Sequence, residues 1–189
     1  MAKALVPMAD GFEEVEAIAV IDVLRRGGVE VVSASIGRSL EVNGAHGIVV
    51  KADALFADVA DEAYDAIVLP GGGEGTENLK NSDALIKRLL RQREDGGLLC
   101  AICAAPTVLQ EAGLLDMGQH VTCYPTCQME IDCTWVNQPA VSHNGIITGR
   151  APGSAMTFAM VVLQALVGDA PARGICLYGR KAPFRQART

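Results

Sequence analysis

The sequence lacks any long apolar run, and this absence limits where the protein can act. No stretch of about 18 consecutive apolar residues occurs, so we expect no membrane-spanning helix. A secretory signal peptide is not evident either, because acidic residues interrupt the N-terminal region at Asp10 and within residues 13–16. Six cysteines without such a signal favour reduced thiols. We therefore expect a cytoplasmic protein without a disulfide framework.

The chain also lacks an excess of positive charge. Its formal net charge is -6 at pH 7, which argues against a nucleic-acid-binding role. The charge is uneven, because every acidic residue lies at or before Asp169 and all charged residues after it are basic. We interpret this basic tail, about residues 171–189, as a solvated terminus. No repeat, linker or low-complexity segment divides the sequence, which predicts a single domain over residues 1–189.

Two common ligand-binding patterns are absent as well. The glycine run at residues 71–75, which we expect to form a loop, has neither the spacing of a P-loop nor that of a dinucleotide-binding turn, so we do not expect a nucleotide site there. Cys123, Cys127 and Cys133 have gaps that match no common zinc motif. We therefore predict no cofactor and no metal.

What the sequence does contain is a regular alternation of apolar runs and helical patterns. Short apolar runs predict buried strands at residues 3–8, 29–35, 66–69 and 98–102. Helical patterns predict helices at residues 13–26, 82–94, 106–112 and 152–167. Because the first strand, helix and strand follow within about 30 residues, we expect parallel pairing. The predicted fold is an α/β three-layer sandwich with a mostly parallel sheet and helices on both faces.

Three weaker patterns complete the predicted fold. Residues 40–50 carry two short strand patterns split by Asn43-Gly44, which predicts a small hairpin. Residues 54–59 have the pattern of a helical turn. Residues 140–148 predict two strands joined at Asn144-Gly145, a dipeptide that strongly favours a hairpin turn.

One strand end has the pattern of a nucleophile elbow. The apolar run at residues 98–102 stops at Cys103, and Pro106 favours the start of a helix. A cysteine on such a strand-to-helix turn is a candidate nucleophile, and a helix N-terminus favours its thiolate. We therefore expect the pKa of Cys103 to lie below its reference value of about 8.5. The pattern alone leaves a structural role open beside the catalytic one.

Two further segments are expected to meet Cys103. In parallel sheets, sites lie beyond the carboxyl ends of the strands, where the acids at residues 13–16 and the glycine run also fall. Main-chain N–H groups of the glycine run can stabilise an oxyanion or a cysteine sulfinate. Glu16 is the preferred partner, since a carboxyl buried beside a thiolate would have a raised pKa and serve as donor or general base. The alternative is that these acids only stabilise a helix N-terminus.

The remaining cysteines and the histidines have no assigned role. Cys100 and Cys103 have the spacing of a thioredoxin motif, but Cys100 falls inside the predicted strand, so the match is poor. None of the three histidines is assigned as a partner of Cys103. The roles of the other thiols stay open, and these are Cys100, Cys123, Cys127, Cys133 and Cys176.

Four motifs together carry a resemblance to a known family. They are GFEEVE at residues 11–16, IVLPGG at 67–72, AICAAP at 101–106 and TGRAPG at 148–153. The order and spacing of these motifs resemble those of the DJ-1/ThiJ/PfpI superfamily over about residues 3–170. The resemblance is to its deglycase-like branch, which includes bacterial ThiJ-like members. The resemblance implies a flavodoxin-like fold and a homodimer. It also implies that Cys103 is an oxidisable nucleophile, that Glu16 is a protonated carboxyl beside it, and that Gly72 and Ala104 donate N–H groups to the oxyanion.

The resemblance implies three functions, in descending order of preference. The first is a cysteine-dependent, cofactor-independent glyoxalase or deglycase in the oxidative and carbonyl stress response. Its partners would be small reactive aldehydes, or glycated protein or nucleotide adducts. The second is a redox-sensing stress protein or chaperone in which Cys103 is oxidised to the sulfinate, without significant turnover. The third is a thiamine-pathway or peptidase-like role.

The sequence departs from the family pattern at one position that bears on mechanism. Many members have a histidine in a Thr-His-Pro setting after the elbow helix, and here Tyr124 stands at that position. Proton transfer would then fall to Glu16, to a water molecule or to Tyr124. His46 lies near the position of a family arginine, whereas Arg150 retains a later one. Tyr124 and Arg150 are therefore expected to line the site.

Overall fold

The structure, a computed structural model, describes residues 1–168, which are built around one seven-stranded sheet. The strands of these residues are β1 (Lys3–Met8), β2 (Glu30–Ser35), β3 (Glu41–Asn43), β4 (Val49–Lys51), β5 (Ala54–Leu55), β6 (Ala66–Leu69), β7 (Leu98–Ile102), β8 (His120–Val121), β9 (Thr134–Trp135), β10 (Ala140–His143) and β11 (Ile146–Gly149). The helices are α1 (Glu14–Arg26), α2 (Phe56–Val59), α3 (Gly73–Lys80), α4 (Asp83–Glu94), α5 (Pro106–Glu111) and α6 (Ala155–Val167).

The sheet confirms the predicted parallel arrangement. Its strand order is β10-β11-β7-β6-β1-β2-β5, and the pairs are parallel except for β10 with β11. The chain runs outward from β1 through β2 to β5 and then returns to β6 on the other side of β1. This change of direction places the loops after β1 and β6 side by side at the carboxyl edge, where ligands bind in such sheets.

Two apolar cores flank the sheet and give the three layers. Alternate residues of β1 face opposite sides: Val6 packs in the core under α1 and α6, and Leu5 packs in the core under α4 and α5. The strands read as apolar runs because both of their faces are covered. The fold is the flavodoxin-like α/β sandwich that the sequence predicts.

One helix was not predicted, because it starts inside the glycine run. α3 begins at Gly73, although glycine lowers helix propensity by about 1 kcal/mol per residue relative to alanine. Tertiary packing outweighs this cost, since Thr76 and Leu79 of α3 are buried. A Cβ added at Gly75 would lie 2.7 Å from the backbone of Phe12, so glycine permits the close approach of α3 to the loop after β1. The plain-loop interpretation of residues 71–75 is therefore wrong from Gly73 onward.

The structures predicted from the three weaker patterns are present, with differences in detail. β3 and β4 form the predicted hairpin, although residues 44–48 connect them rather than a tight turn at Asn43-Gly44. Residues 54–59 contain the short strand β5 as well as the helical turn α2. Asn144 and Gly145 both have positive φ, as the turn between β10 and β11 requires.

The basic tail and the absence of a membrane-spanning helix were also expected from the sequence. The basic tail at residues 171–189 lies outside the described residues, as does Cys176. Among residues 1–168, no helix combines the length and apolarity that crossing a membrane requires.

Candidate active site

Cys103 occupies a strained turn between β7 and α5. Its φ is 64°, in the left-handed region that costs a residue with a side chain about 1–3 kcal/mol. The surrounding backbone holds this conformation: the Cys103 N–H donates to the Gly149 carbonyl at 3.0 Å, and the Cys103 carbonyl accepts from the Tyr124 N–H at 2.7 Å. The predicted nucleophile elbow is therefore present, and it leaves Cys103 only 8% exposed.

Glu16 is fully buried in α1 and faces this elbow. Its Oε2 accepts a hydrogen bond from the Gly71 N–H at 2.8 Å, and its carboxyl interacts with the Cys103 thiol. The other oxygen, Oε1, is buried without a backbone donor in the described chain. The alternative that Glu16 only stabilises a helix N-terminus does not fit this burial, because a carboxylate in that role would be solvated.

The glycine run supplies both close packing and hydrogen-bond donors. A Cβ added at Gly71 would lie 2.7 Å from the Cys103 Cβ and 2.8 Å from Glu16 Oε2, so no side chain fits between the two groups. The backbone N–H groups of Gly72 and Ala104 both act on the Cys103 sulfur. The structure thus brings together the four residues expected at the site centre.

Burial perturbs both ionisable groups. It raises the pKa of Glu16 to about 7, although the Gly71 N–H and the Cys103 thiol act in the opposite direction. Burial, and then the charge of Glu16, raises the pKa of Cys103 to about 12, against the N–H groups of Gly72 and Ala104. The expected lowering of the Cys103 pKa is therefore wrong. That expectation rested on the helix N-terminus, but α5 has only six residues and the sulfur is buried beside an acid.

The two groups titrate as a pair rather than independently. The pair loses its first proton near pH 7 and its second near pH 12. Between these values it holds one proton and one negative charge. A charge on sulfur is stabilised by two N–H groups and by the protonated carboxyl, whereas a charge on the carboxyl is stabilised by the Gly71 N–H and by the Cys103 thiol. The singly charged pair therefore has two forms, thiolate beside carboxylic acid and thiol beside carboxylate.

Of the two residues expected to line the site, Tyr124 contacts it through its main chain, and Arg150 is bonded to other segments. Tyr124 bonds the Cys103 carbonyl with its N–H, while its side chain is 41% exposed. Arg150 follows Gly149, and its guanidinium donates to Asn137 Oδ1 at 2.7 Å. Within the described residues, neither side chain hydrogen-bonds to Cys103 or Glu16.

None of the three histidine rings hydrogen-bonds to Cys103 in the part of the chain that the structure describes. The rings of His120 and His143 stack on each other with centroids 4.7 Å apart. His46 pairs instead with Glu14, its Nδ1 lying 2.9 Å from Oε2. No sequence pattern predicts this pair, since its members are 32 residues apart and belong to different elements.

The other described thiols are suited to packing rather than reaction. Burial raises the pKa of Cys100, raises that of Cys123 to about 12 and raises that of Cys133 to about 11. Burial also raises the pKa of Cys127, which interacts with Glu130, but the Glu130 side chain is exposed. The difference from Cys103 is therefore the buried acid Glu16 beside its sulfur, since the raised pKa is common to all of these thiols.

Comparison with known proteins places the chain in a family. The family model described as the DJ-1/PfpI family matches residues 2–165. The chain belongs to the DJ-1/PfpI family. It is 41% identical over 169 residues to Protein DJ-1 homolog B of Arabidopsis thaliana, a match covering 88% of this chain and 38% of the plant protein. The chain thus spans less than half the length of that relative.

Two further relatives match along most of their own length. Glutathione-independent glyoxalase DJR-1.2 of Caenorhabditis elegans is 36% identical over 168 residues, which is 87% of either chain. The structure of oxidized DJ-1 from Toxoplasma gondii superposes with a TM-score of 0.87 at 39% identity, covering 91% of this chain and 94% of that one.

Proposed function

We propose that this protein is a cysteine-dependent, cofactor-independent glyoxalase or deglycase that acts on methylglyoxal or on early glycation adducts. The observation that carries the proposal is the buried Cys103–Glu16 pair, which holds one shared proton above about pH 7 and faces two backbone N–H groups. A nucleophile, an acid–base group and an oxyanion site are what carbonyl chemistry requires. The similarity to a glutathione-independent glyoxalase supports the same class of reaction.

The reaction begins with attack of the Cys103 thiolate on the aldehyde carbon of methylglyoxal. An S–C bond forms, the carbonyl π pair moves to oxygen, and the Gly72 and Ala104 N–H groups stabilise that charge. The Glu16 carboxyl donates its proton to the oxygen, which gives a hemithioacetal. With an early glycation adduct, the same attack would displace the modified amine or thiol.

Glu16, now a carboxylate, then acts as the general base. It removes the proton from the former aldehyde carbon and returns it to the adjacent carbon, while a second proton passes between the two oxygens. The aldehyde carbon is thereby oxidised and the ketone carbon reduced, so no external oxidant is needed. Water hydrolyses the resulting thioester, the S–C bond breaks, and lactate leaves.

The test measures lactate formed from methylglyoxal by the wild type, Cys103→Ala and Glu16→Gln. We expect Cys103→Ala to give only the background rate, and Glu16→Gln to lose about 10²–10⁴-fold, as general acid–base catalysis contributes. Cys133→Ala, which removes a thiol away from Glu16, serves as the matched control and should retain full activity. Wild-type lactate formation no faster than that of Cys103→Ala would refute the proposal.

A second candidate function is redox sensing at the same cysteine. The backbone N–H groups that would stabilise an oxyanion are equally suited to the oxygens of a sulfinate, and one similar structure is of an oxidized DJ-1. Two equivalents of peroxide would transfer two oxygen atoms to the Cys103 sulfur and be reduced to water. Intact-mass and peptide analysis after mild peroxide should place both oxygens on Cys103, and uniform oxidation of the cysteines would contradict this function.

The biological setting belongs to the same proposal. We propose a homodimer in the cytoplasm that acts in the response to carbonyl and oxidative stress. A peptidase-like role receives no support, because none of the histidine rings in residues 1–168 hydrogen-bonds to Cys103. Analytical ultracentrifugation would test the dimer, since a purely monomeric protein at micromolar concentration would contradict it.

A further inference from the structure

A second cluster of ionisable side chains lies beside the candidate active site. Glu13 and Glu14 stand at the start of α1, and His46 lies in the connection between β3 and β4. His46 Nδ1 is 2.9 Å from Glu14 Oε2 and 3.7 Å from Glu13 Oε2. One potential ligand atom from each residue falls within 4.8 Å of the other two. Two carboxylates and one imidazole therefore converge on one point.

Backbone contacts hold the cluster in place. The N–H of His46 donates to Glu14 Oε1 at 2.7 Å, and the Ala45 N–H donates to the Phe12 carbonyl at 2.8 Å. A side chain at Gly44 would overlap the Glu14 carboxylate. Only glycine at this position lets the β3–β4 connection come this close to α1. The ligand atoms are thus positioned by the fold before any ion arrives, which lowers the cost of binding.

The cluster carries more negative charge than its own histidine cancels. Glu14 is only 5% exposed, and its carboxyl lies within 4.8 Å of a Glu13 carboxyl oxygen. Two carboxyl groups stand against a single imidazole, so a divalent cation would offset negative charge there.

We propose that Glu13, Glu14 and His46 form a binding site for a divalent first-row transition-metal ion. Imidazole nitrogen and carboxylate oxygen are ligands for this class of ion. Bonds of about 2.1 Å give ligand-to-ligand distances of about 3.0 Å at right angles and about 3.4 Å in a tetrahedron. The 2.9 Å distance already matches the first value, and the 3.7 Å distance needs a movement of a few tenths of an ångström. His46 is 68% exposed on its outer side, which leaves room for water ligands.

The sequence alone does not lead to this site. The prediction of no metal came from cysteine spacing, whereas these ligands come from two separate elements. The site also borders the active-site loop, because the Glu13 N–H donates to the Gly71 carbonyl at 3.0 Å. The metal site does not depend on the proposed glyoxalase function, since neither Cys103 nor Glu16 is one of its ligands.

The test measures Co²⁺ uptake by metal-free protein in equilibrium dialysis, with the absorption spectrum to identify the ligands. We expect one Co²⁺ per chain without a sulfur-to-cobalt charge-transfer band. His46→Ala should weaken the affinity at least about 10-fold, a loss seen even for groups that only support metal ligands. Glu14→Gln, which keeps one acceptor for the backbone N–H groups, should weaken it similarly. His120→Ala, a change at an exposed histidine of β8, is the matched control and should bind as the wild type does.

Three results would overturn the proposal. They are no saturable uptake by the wild type, equal affinity in His46→Ala, and a spectrum in which thiolate ligands account for all of the bound cobalt. Near-ultraviolet circular dichroism of each variant shows whether the fold is retained. The His46 side chain is 68% exposed, so its removal leaves both apolar cores intact.

Discussion

The substitution Gly71→Ala probes the contact on which the proposed chemistry depends. The added Cβ would lie 2.7 Å from the Cys103 Cβ, 2.8 Å from Glu16 Oε2 and 2.9 Å from the carbonyl oxygen of Ile102. The carbonyl belongs to β7 and cannot move without disturbing the sheet. Relief must therefore come from separating the Cys103 and Glu16 side chains by several tenths of an ångström to about 1 Å. Gly71 does not have a positive φ, so backbone strain does not confuse the result.

The structure sets the size of the expected effect. Overpacking of a buried position costs about 1–3 kcal/mol of unfolding free energy. A displacement near 1 Å of a catalytic group costs about 10²-fold in rate. We therefore expect Gly71→Ala to fold, with a lower unfolding midpoint in urea, and to form lactate from methylglyoxal about 100-fold more slowly. Stability and rate are measured on the same preparation, so that the lactate rate can be corrected for the fraction of unfolded protein.

A matched control lies two residues further along the chain. A Cβ added at Gly73 meets nothing within 4 Å, and Gly73 begins α3, so Gly73→Ala should be neutral or stabilising by up to about 1 kcal/mol. Its lactate rate should equal that of the wild type. If Gly71→Ala forms lactate within threefold of the Gly73→Ala rate, close contact between Glu16 and Cys103 is not required and the reasoning fails.

Two other predictions concern Glu16 and Tyr124. Because the pKa of Glu16 is raised from 4.5 to about 7 in the folded protein, its stabilising contribution is complete below pH 4.5 and is lost as the pH rises through 7. Relative to Glu16→Gln, the wild type should lose about 3 kcal/mol of unfolding free energy between pH 4 and pH 8, and parallel curves in urea titrations would contradict this. Tyr124→Phe should change the lactate rate less than threefold, since the Tyr124 hydroxyl does not hydrogen-bond to the pair among the described residues. A loss of 100-fold would instead assign the proton transfer to Tyr124.

Local patterns were sufficient to predict the elbow and most of the sheet. The apolar run before Cys103 and the proline at position 106 are close in sequence, so they predict where the turn lies, although contacts with Gly149 and Tyr124 hold its conformation. The strands are buried on both faces, so each reads as an apolar run without knowledge of its neighbours. The partnership of Glu16 with Cys103 needed the additional rule that loops meet at the carboxyl edge of a parallel sheet.

Features that depend on distant packing could not be predicted in the same way. α3 forms despite its glycines because it packs against the loop after β1, a contact between residues more than 60 positions apart. The pKa of Cys103 was predicted in the wrong direction, since burial and the charge of Glu16 arise only in the folded chain. The pairing of His46 with Glu14 likewise depends on how the β3–β4 connection docks on α1.

The most direct test of the account is the pH dependence of Cys103 alkylation. The rate of reaction with iodoacetamide, followed by the mass of the Cys103 peptide, should rise through a step near pH 7 in the wild type, where the pair loses its first proton. In Glu16→Gln that step should disappear, and the rate should rise only above the ordinary thiol pKa of about 8.5. Identical profiles for the two proteins, with no step near pH 7, would contradict the claim that Cys103 and Glu16 share a proton.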